Sequence, residues 1–494
     1  VAPEVSAAPA PSGAADTSGA TGPSQTPTAP LDAFASSEAA AAAQEPAAIP
    51  RWSLKTLGIS AMLGLQVLAS PATAATLPPM HDSISQSVQT TTREALRAIA
   101  NARPSRDIPV PTSVTSAEKN VNRTDFPPLD PYVAAIAQGV DAQLNTPRVD
   151  TQIARLTLSR HFDRPIDIHV NLSHGPEAAM AIIFPGVGDD QGTYPVQQIE
   201  EIATKQGLNF AVIPNPWSKG WLDAVPHHLP GVLPDEIDAN LDIMRSLKRL
   251  MPAYFENVSG VGCSYGGLLG TATLREQQRQ GGTQYINGTF TAVSPPQDLL
   301  DSVKMMDTLG DRGPVPYGKV AEVAFQYYDQ IGRHGYDGFA ESPVANRGDY
   351  RAERVVAYQA GPKAILESML SRLRNPPTRP ATFGSYVSQT LSNDPWFAQH
   401  GTTVAETSRS LQLHGILHDL GGHGVPVMVL TSKDDIILDR DNVNTFAHEA
   451  VDHSPDQVVH QYDHGSHLGI LFNPQIRDAV GNFAAAQGGD EKSL

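Results

Sequence analysis

From residue 178 to residue 462 the chain repeats one pattern, a short and mostly apolar run followed by a stretch of helical length. The runs are 178–184, 209–213, 258–263, 289–293, 425–431 and 457–462. Runs of this length without internal alternation suit strands buried on both faces. Between them, 194–206 reads as a helix, and 235–250 places Ile237, Leu241, Met244, Leu247 and Leu250 along one helical face. Strand and helix in alternation predict a parallel sheet with right-handed crossovers. Earlier, Leu156 and Leu158, and then Ile166, Ile168, Val170 and Leu172, alternate with polar residues. They predict two antiparallel strands at the start of the sheet.

The stretch 258–270 is the most informative of these. It reads Val-Ser-Gly-Val-Gly-Cys-Ser-Tyr-Gly-Gly-Leu-Leu-Gly and contains Gly262-x-Ser264-x-Gly266. An apolar run precedes the serine, and a helical pattern through Leu268, Leu269, Ala272 and Leu274 follows it. A serine on a tight strand-to-helix turn projects its hydroxyl into a cleft, and small neighbours let that turn close against adjacent backbone. The helix that follows directs its positive end at the same place.

Such a hydroxyl is a weak nucleophile until a base takes its proton and a carboxylate orients the base. Late in the chain, Ser432-Lys433-Asp434-Asp435-Ile436-Ile437-Leu438 follows the run 425–431. Asp463-His464-Gly465-Ser466-His467-Leu468-Gly469 follows the last run. With these motifs in place, residues 150–487 resemble an α/β-hydrolase in element order, strand count and motif position. The resemblance implies a triad in the order nucleophile, acid, histidine. It assigns Ser264 as nucleophile, Asp435 as acid with Asp434 as the alternative, and His467 as base in a Gly-x-His loop with His464 as the alternative. Pro185-Gly186-Val187-Gly188 stands where the family carries its oxyanion loop, with Pro185 in place of the usual histidine. The implied donors are the backbone N–H groups of Val187 and of Tyr265, the residue after the nucleophile. His227, His228, His414, His418 and His423 have no matching place and read as surface or cap residues.

The resemblance implies a serine hydrolase that cleaves a carboxylic ester through an acyl-serine intermediate. The same machinery serves a peptidase or amidase, and a non-catalytic binding module of this fold is the reading from another class. The expected substrate is a small or lipid-like ester. Residues 297–420 interrupt the strand-helix alternation with helical, aromatic-rich sequence. They read as a cap over an apolar pocket, or as a subdomain whose aromatics form its own core. The core then comprises 150–296 and 421–487, with a tail at 488–494.

Charge and composition exclude other classes. The formal net charge is −17, and nucleic-acid binding needs clustered Lys and Arg to displace counterions. Cys263 is the single cysteine, so no intrachain disulfide forms, and it reads as a small core residue of the strand before Ser264. Asp189-Asp190 reads as a polar turn. No metal-binding spacing and no phosphate or dinucleotide fingerprint is present, so no cofactor or metal is expected.

Ahead of the core, residues 1–50 are Ala-, Pro- and Ser-rich and read as disordered. Residues 51–80 begin with Arg51-Trp52-Ser53-Leu54-Lys55, run apolar, and reach Ala72-Thr73-Ala74. They resemble an export signal, with a weak membrane anchor and a solvent-covered helix as the alternatives. The expected location is therefore periplasmic, secreted or membrane-anchored. Residues 81–149 read as a helix and a Pro-rich linker, closing with a short helix from Pro131.

Overall fold

The runs assemble into one eight-stranded sheet, seen in a computed structural model. It describes residues 126–486 apart from 127, 159, 190–191, 226, 311–316, 347, 349, 374–379 and 440–456. The expectations for 1–50, 51–80, most of 81–130 and the tail lie outside these residues.

Helix α1 (Pro131–Asn145) comes first, capped by Asp130, whose carboxyl accepts the Tyr132 N–H at 3.0 Å. Strands β1 (Gln152–Leu156) and β2 (Ile166–Asn171) form the expected antiparallel pair. Then follow β3 (Met180–Phe184), α2 (Tyr194–Lys205), β4 (Asn209–Val212), α3 (Lys219–Ala224), α4 (Leu233–Leu250), β5 (Val258–Cys263), α5 (Tyr265–Gln280) and β6 (Phe290–Val293). Helix α4 starts two residues earlier than the periodicity suggested, because Pro234 fits its first turn. The order across the sheet is β1-β2-β4-β3-β5-β6-β7-β8, where β7 is Val427–Ser432 and β8 is Gln457–Tyr462. The β1–β2 and β2–β4 pairs are antiparallel, and all later pairs are parallel.

Alternation along β3 shows how both faces are buried. Met180, Ile182 and Phe184 join the layer that holds Leu241 and Met244 of α4 and Leu268 of α5. Ala181 and Ile183 join the opposite layer with Val196 and Ile199 of α2 and Val480 and Phe483 of the closing helix, Pro474–Ala485. Parallel strands covered by helices on both sides need apolar residues at every position, which is why these runs lack a polar face.

Between β6 and β7 lie helices α6 (Leu299–Gly310), α7 (Tyr317–Ala340), α8 (Arg351–Tyr358), α9 (Ala364–Arg372), α10 (Phe383–Gln389), α11 (Pro395–His400), α12 (Val404–Ser410) and α13 (Leu413–Gly422). Helix α13 packs on α5 and is the crossover into β7. The aromatics divide two ways. Phe383 and Tyr386 pack on Trp217 of the main body, with ring centroids 5.6 and 5.4 Å apart. Tyr327 and Phe339 pack on each other at 4.7 Å, in a cluster with Val133, Ile136 and Val140 of α1. Helix α1 is thus part of the packed body and not the end of a linker. No helix among the described residues is long and apolar enough to cross a membrane.

Candidate active site

Strand β5 ends at Cys263 and α5 begins at Tyr265, so Ser264 alone makes the turn. Its backbone sits at φ 51° and ψ −127°, a conformation that costs a non-glycine residue about 1–3 kcal/mol and persists only where its surroundings enforce it. Here the Ser264 N–H donates to the Val293 carbonyl at 2.8 Å. The two glycines of the motif are required by space. A Cβ on Gly262 would stand 2.5 Å from the Gly266 carbonyl oxygen, and one on Gly266 would overlap the carbonyl oxygens of Phe184 and Pro185. The elbow is therefore pressed against the end of β3, beside the loop that follows it.

Two other strand ends supply the partners. His467 Nε2 lies 3.0 Å from Ser264 Oγ, and His467 Nδ1 lies 3.0 and 2.9 Å from the two carboxyl oxygens of Asp435. The Asp435 and His467 side chains are 1% and 6% exposed. Asp435 Oδ1 also accepts the N–H groups of Ile437 at 2.9 Å and Leu438 at 3.2 Å, which fix the carboxylate. Asp434 turns elsewhere and accepts the Ser466 N–H at 2.8 Å. Burial pushes its carboxyl above the usual range. His464, 40% exposed, lies beside Asp434 and not beside the serine.

The His467 loop is itself strained, with φ of 139° at Gly465, 53° at Ser466 and 63° at Leu468. Ser432 Oγ donates to the Ser466 carbonyl at 2.6 Å, and the Leu468 N–H donates to Ser294 Oγ at 3.2 Å. Neither serine stands out in the sequence. The signal for each is its place at the end of a buried run.

Val187 and Tyr265 line the same cavity as Ser264 and His467, together with Gly186. Neither backbone N–H has an acceptor among the described residues. They are two unused donors at the head of α5 and in the loop after β3, where an anionic oxygen would be held. The cavity is narrow, about 60 Å³, and its remaining wall comes largely from the insertion through Leu299, Met306, Pro362 and Ile365. Pro362 lies in a π-helical turn, Gln359–Lys363, where the helical ladder is interrupted. None of the insertion's aromatics lines this cavity among the described residues. Its apolar character comes from these aliphatic side chains and from the rings of Tyr194 and Tyr265 in the main body.

Beneath the elbow lies a feature that the sequence pattern does not reveal. The buried Tyr265 hydroxyl donates to Glu236 Oε2, while Glu236 Oε1 accepts the Gly231 N–H at 2.6 Å. Burial, with Glu236 beside it, pushes the Tyr265 phenol well up. His228, expected at the surface or in the cap, lies 3.4 Å from Glu236 with its side chain 13% exposed, because it closes this cluster. Cys263 is fully buried in the layer of α2 and Pro474–Ala485, and burial pushes its thiol up. Among the described residues no group of three or more His, Cys, Asp or Glu could hold a metal ion.

An antiparallel pair leads into a sheet ordered 1-2-4-3-5-6-7-8, with Ser264, Asp435 and His467 following its fifth, seventh and eighth strands. The chain has the α/β-hydrolase fold. No protein-family model and no curated protein matches it. Solved structures of this fold are distantly similar. An esterase of Pyrococcus furiosus is 13% identical, with 69% of this chain and 95% of that one covered at a TM-score of 0.39. A proline iminopeptidase of Mycobacterium smegmatis is 18% identical, covering 67% and 97% at 0.39. An acylaminoacyl peptidase of Pyrococcus horikoshii is 13% identical, covering 68% and 41% at 0.38. The fold assignment rests on the α/β-hydrolase strand order found in the chain itself.

Proposed function

We propose that this protein is a serine hydrolase that cleaves carboxylic esters of small, apolar acyl groups. The supporting observation is the unbroken chain Asp435–His467–Ser264 in the wall of an apolar cavity. Ser264 Oγ attacks the ester carbonyl carbon as its proton passes to His467 Nε2. Asp435 keeps the other ring N–H oriented and stabilises the imidazolium. The carbonyl oxygen, now anionic, accepts from the Val187 and Tyr265 N–H groups. The carbon–oxygen bond then breaks, and the departing alcohol takes the proton from Nε2. Water, deprotonated by the same nitrogen, attacks the acyl-serine. Collapse of the second tetrahedral species releases the carboxylic acid and returns the proton to Ser264.

The preference for esters over amides rests on the cavity wall. Val187, Leu299, Met306, Pro362 and Ile365 suit an acyl chain and offer a peptide backbone few partners.

Full-length protein incubated with a fluorophosphonate probe is expected to label at Ser264, and Ser264→Ala is expected not to. A series of p-nitrophenyl esters is expected to be cleaved with k_cat/KM falling as the acyl chain lengthens, and matched anilides far more slowly. Labelling that persists in Ser264→Ala would end this reading, and anilides cleaved as fast as esters would move it to amides.

A further inference from the structure

We infer that Gln138, on the helix ahead of the hydrolase sheet, is a positioning residue for His467. The inference rests on the proposed role of His467 and extends the site to an element outside the sheet and its crossovers.

The loop Gly465–Leu468 holds three positive φ angles in four residues, so external contacts must maintain it. Ser432 and Asp434 at the end of β7 and Ser294 at the end of β6 supply three of them. A further one comes from α1, 327 residues away in the chain. Gln138 Nε2 donates to the Gly465 carbonyl at 3.3 Å and also to the Tyr336 hydroxyl of α7 at 3.3 Å. The Gln138 side chain is 1% exposed, so no water replaces this donor if it is removed.

The residue opposite is fitted to it. A Cβ on Gly469 would overlap the Gln138 amide, whose atoms are the nearest to it. Phe472, in the same short turn, stacks on Tyr336 with centroids 6.2 Å apart. Helix α1 packs through Val133, Ile136 and Val140 against Val323, Tyr327 and Ile331 of α7. The amide of Gln138 is thus held by one packed interface and grips the loop two residues before His467. Loss of the grip lets the imidazole drift from Ser264 Oγ, and displacement of a reacting group by about 1 Å can cost up to about 10² in rate.

The test uses the full chain with Gln138→Met, which keeps the volume and removes the donor, Gln138→Ala, Gly469→Ala, which drives the amide away, and the pair Gln138→Ala with Gly469→Ala. Three quantities are read: kcat and KM on a short ester, and amide hydrogen exchange of residues 463–470. Each single substitution is expected to lower k_cat about tenfold with KM within about twofold, and to speed exchange in that loop alone. The double variant is expected to be no worse than Gly469→Ala, because both act through one contact. Unchanged k_cat and unchanged loop exchange would overturn the inference. So would multiplying effects in the double variant, or exchange that rises equally across α1 and the sheet. If the unmutated protein neither labels nor turns over esters, the hydrolase reading fails by itself. Exchange then decides the grip, supported by a rise confined to the loop and overturned by none.

Discussion

Replacing Glu200 with glutamine should stabilise the protein at pH 8 and leave it nearly unchanged at pH 4. Glu200 lies on α2, is 1% exposed, and has no partner for Oε1 among the described residues. Burial pushes its carboxyl from the ordinary 4.5 up to about 8. The folded chain therefore keeps the proton while the unfolded chain releases it above pH 4.5. The unfolded state binds fewer protons across this window, so stability falls as pH rises from about 4.5 to about 8. With these two values the loss amounts to about 3 kcal/mol at pH 7, about 4 kcal/mol at pH 8 and almost nothing at pH 4. Glutamine has the same shape and does not titrate. Denaturant midpoints for the two proteins should coincide at pH 4 and separate progressively towards pH 8, with Glu200→Gln the more stable. A difference that is the same at pH 4 and pH 8, or a variant less stable at pH 8, would refute the argument.

Asp435→Asn should lower k_cat by about 10⁴ with the fold intact by circular dichroism, because an amide cannot orient His467 in the required tautomer. Asp434→Asn should cost about tenfold at most, since Asp434 bonds the Ser466 N–H and not the histidine. Equal losses in the two variants would contradict the assignment. Gly262→Ala places a Cβ 2.5 Å from the Gly266 carbonyl oxygen and 2.7 Å from the Gly267 Cα, backbone atoms that cannot turn aside. A loss of about 3 kcal/mol and of probe labelling is expected, measured by thermal melting and fluorophosphonate reaction.

Much of this was legible in the sequence, because burial on both faces forces contiguous apolar runs and the elbow forces glycines on either side of Ser264. The runs 209–213 and 289–293 differ from the observed strands by one residue at an end. The family resemblance then chose Ser264, Asp435 and His467, and the structure brings them within hydrogen-bonding distance. What local pattern could not supply was contact between distant segments. Gln138 is one polar residue on an otherwise unremarked helix, and its partner Gly465 is 327 positions away. Glu236 is an acid in the first turn of α4, and tertiary packing buries it under Tyr265. The insertion's aromatics suggested either the walls of a pocket or a core of their own; Phe383, Tyr386, Tyr327 and Phe339 went to packing, and the insertion lends the cavity aliphatic side chains.

The order of the strands also sets when this chain can become active during its own synthesis. Ser264 precedes His467 by 203 residues in the chain, and His467 follows β8, an edge strand paired to β7. Domains fold as their segments leave the ribosome. A nascent chain carrying the elbow but not residues 457–467 therefore holds an unpartnered serine. The hydroxyl meets His467 Nε2 only once β8 has docked, so a translation product truncated before it lacks that contact.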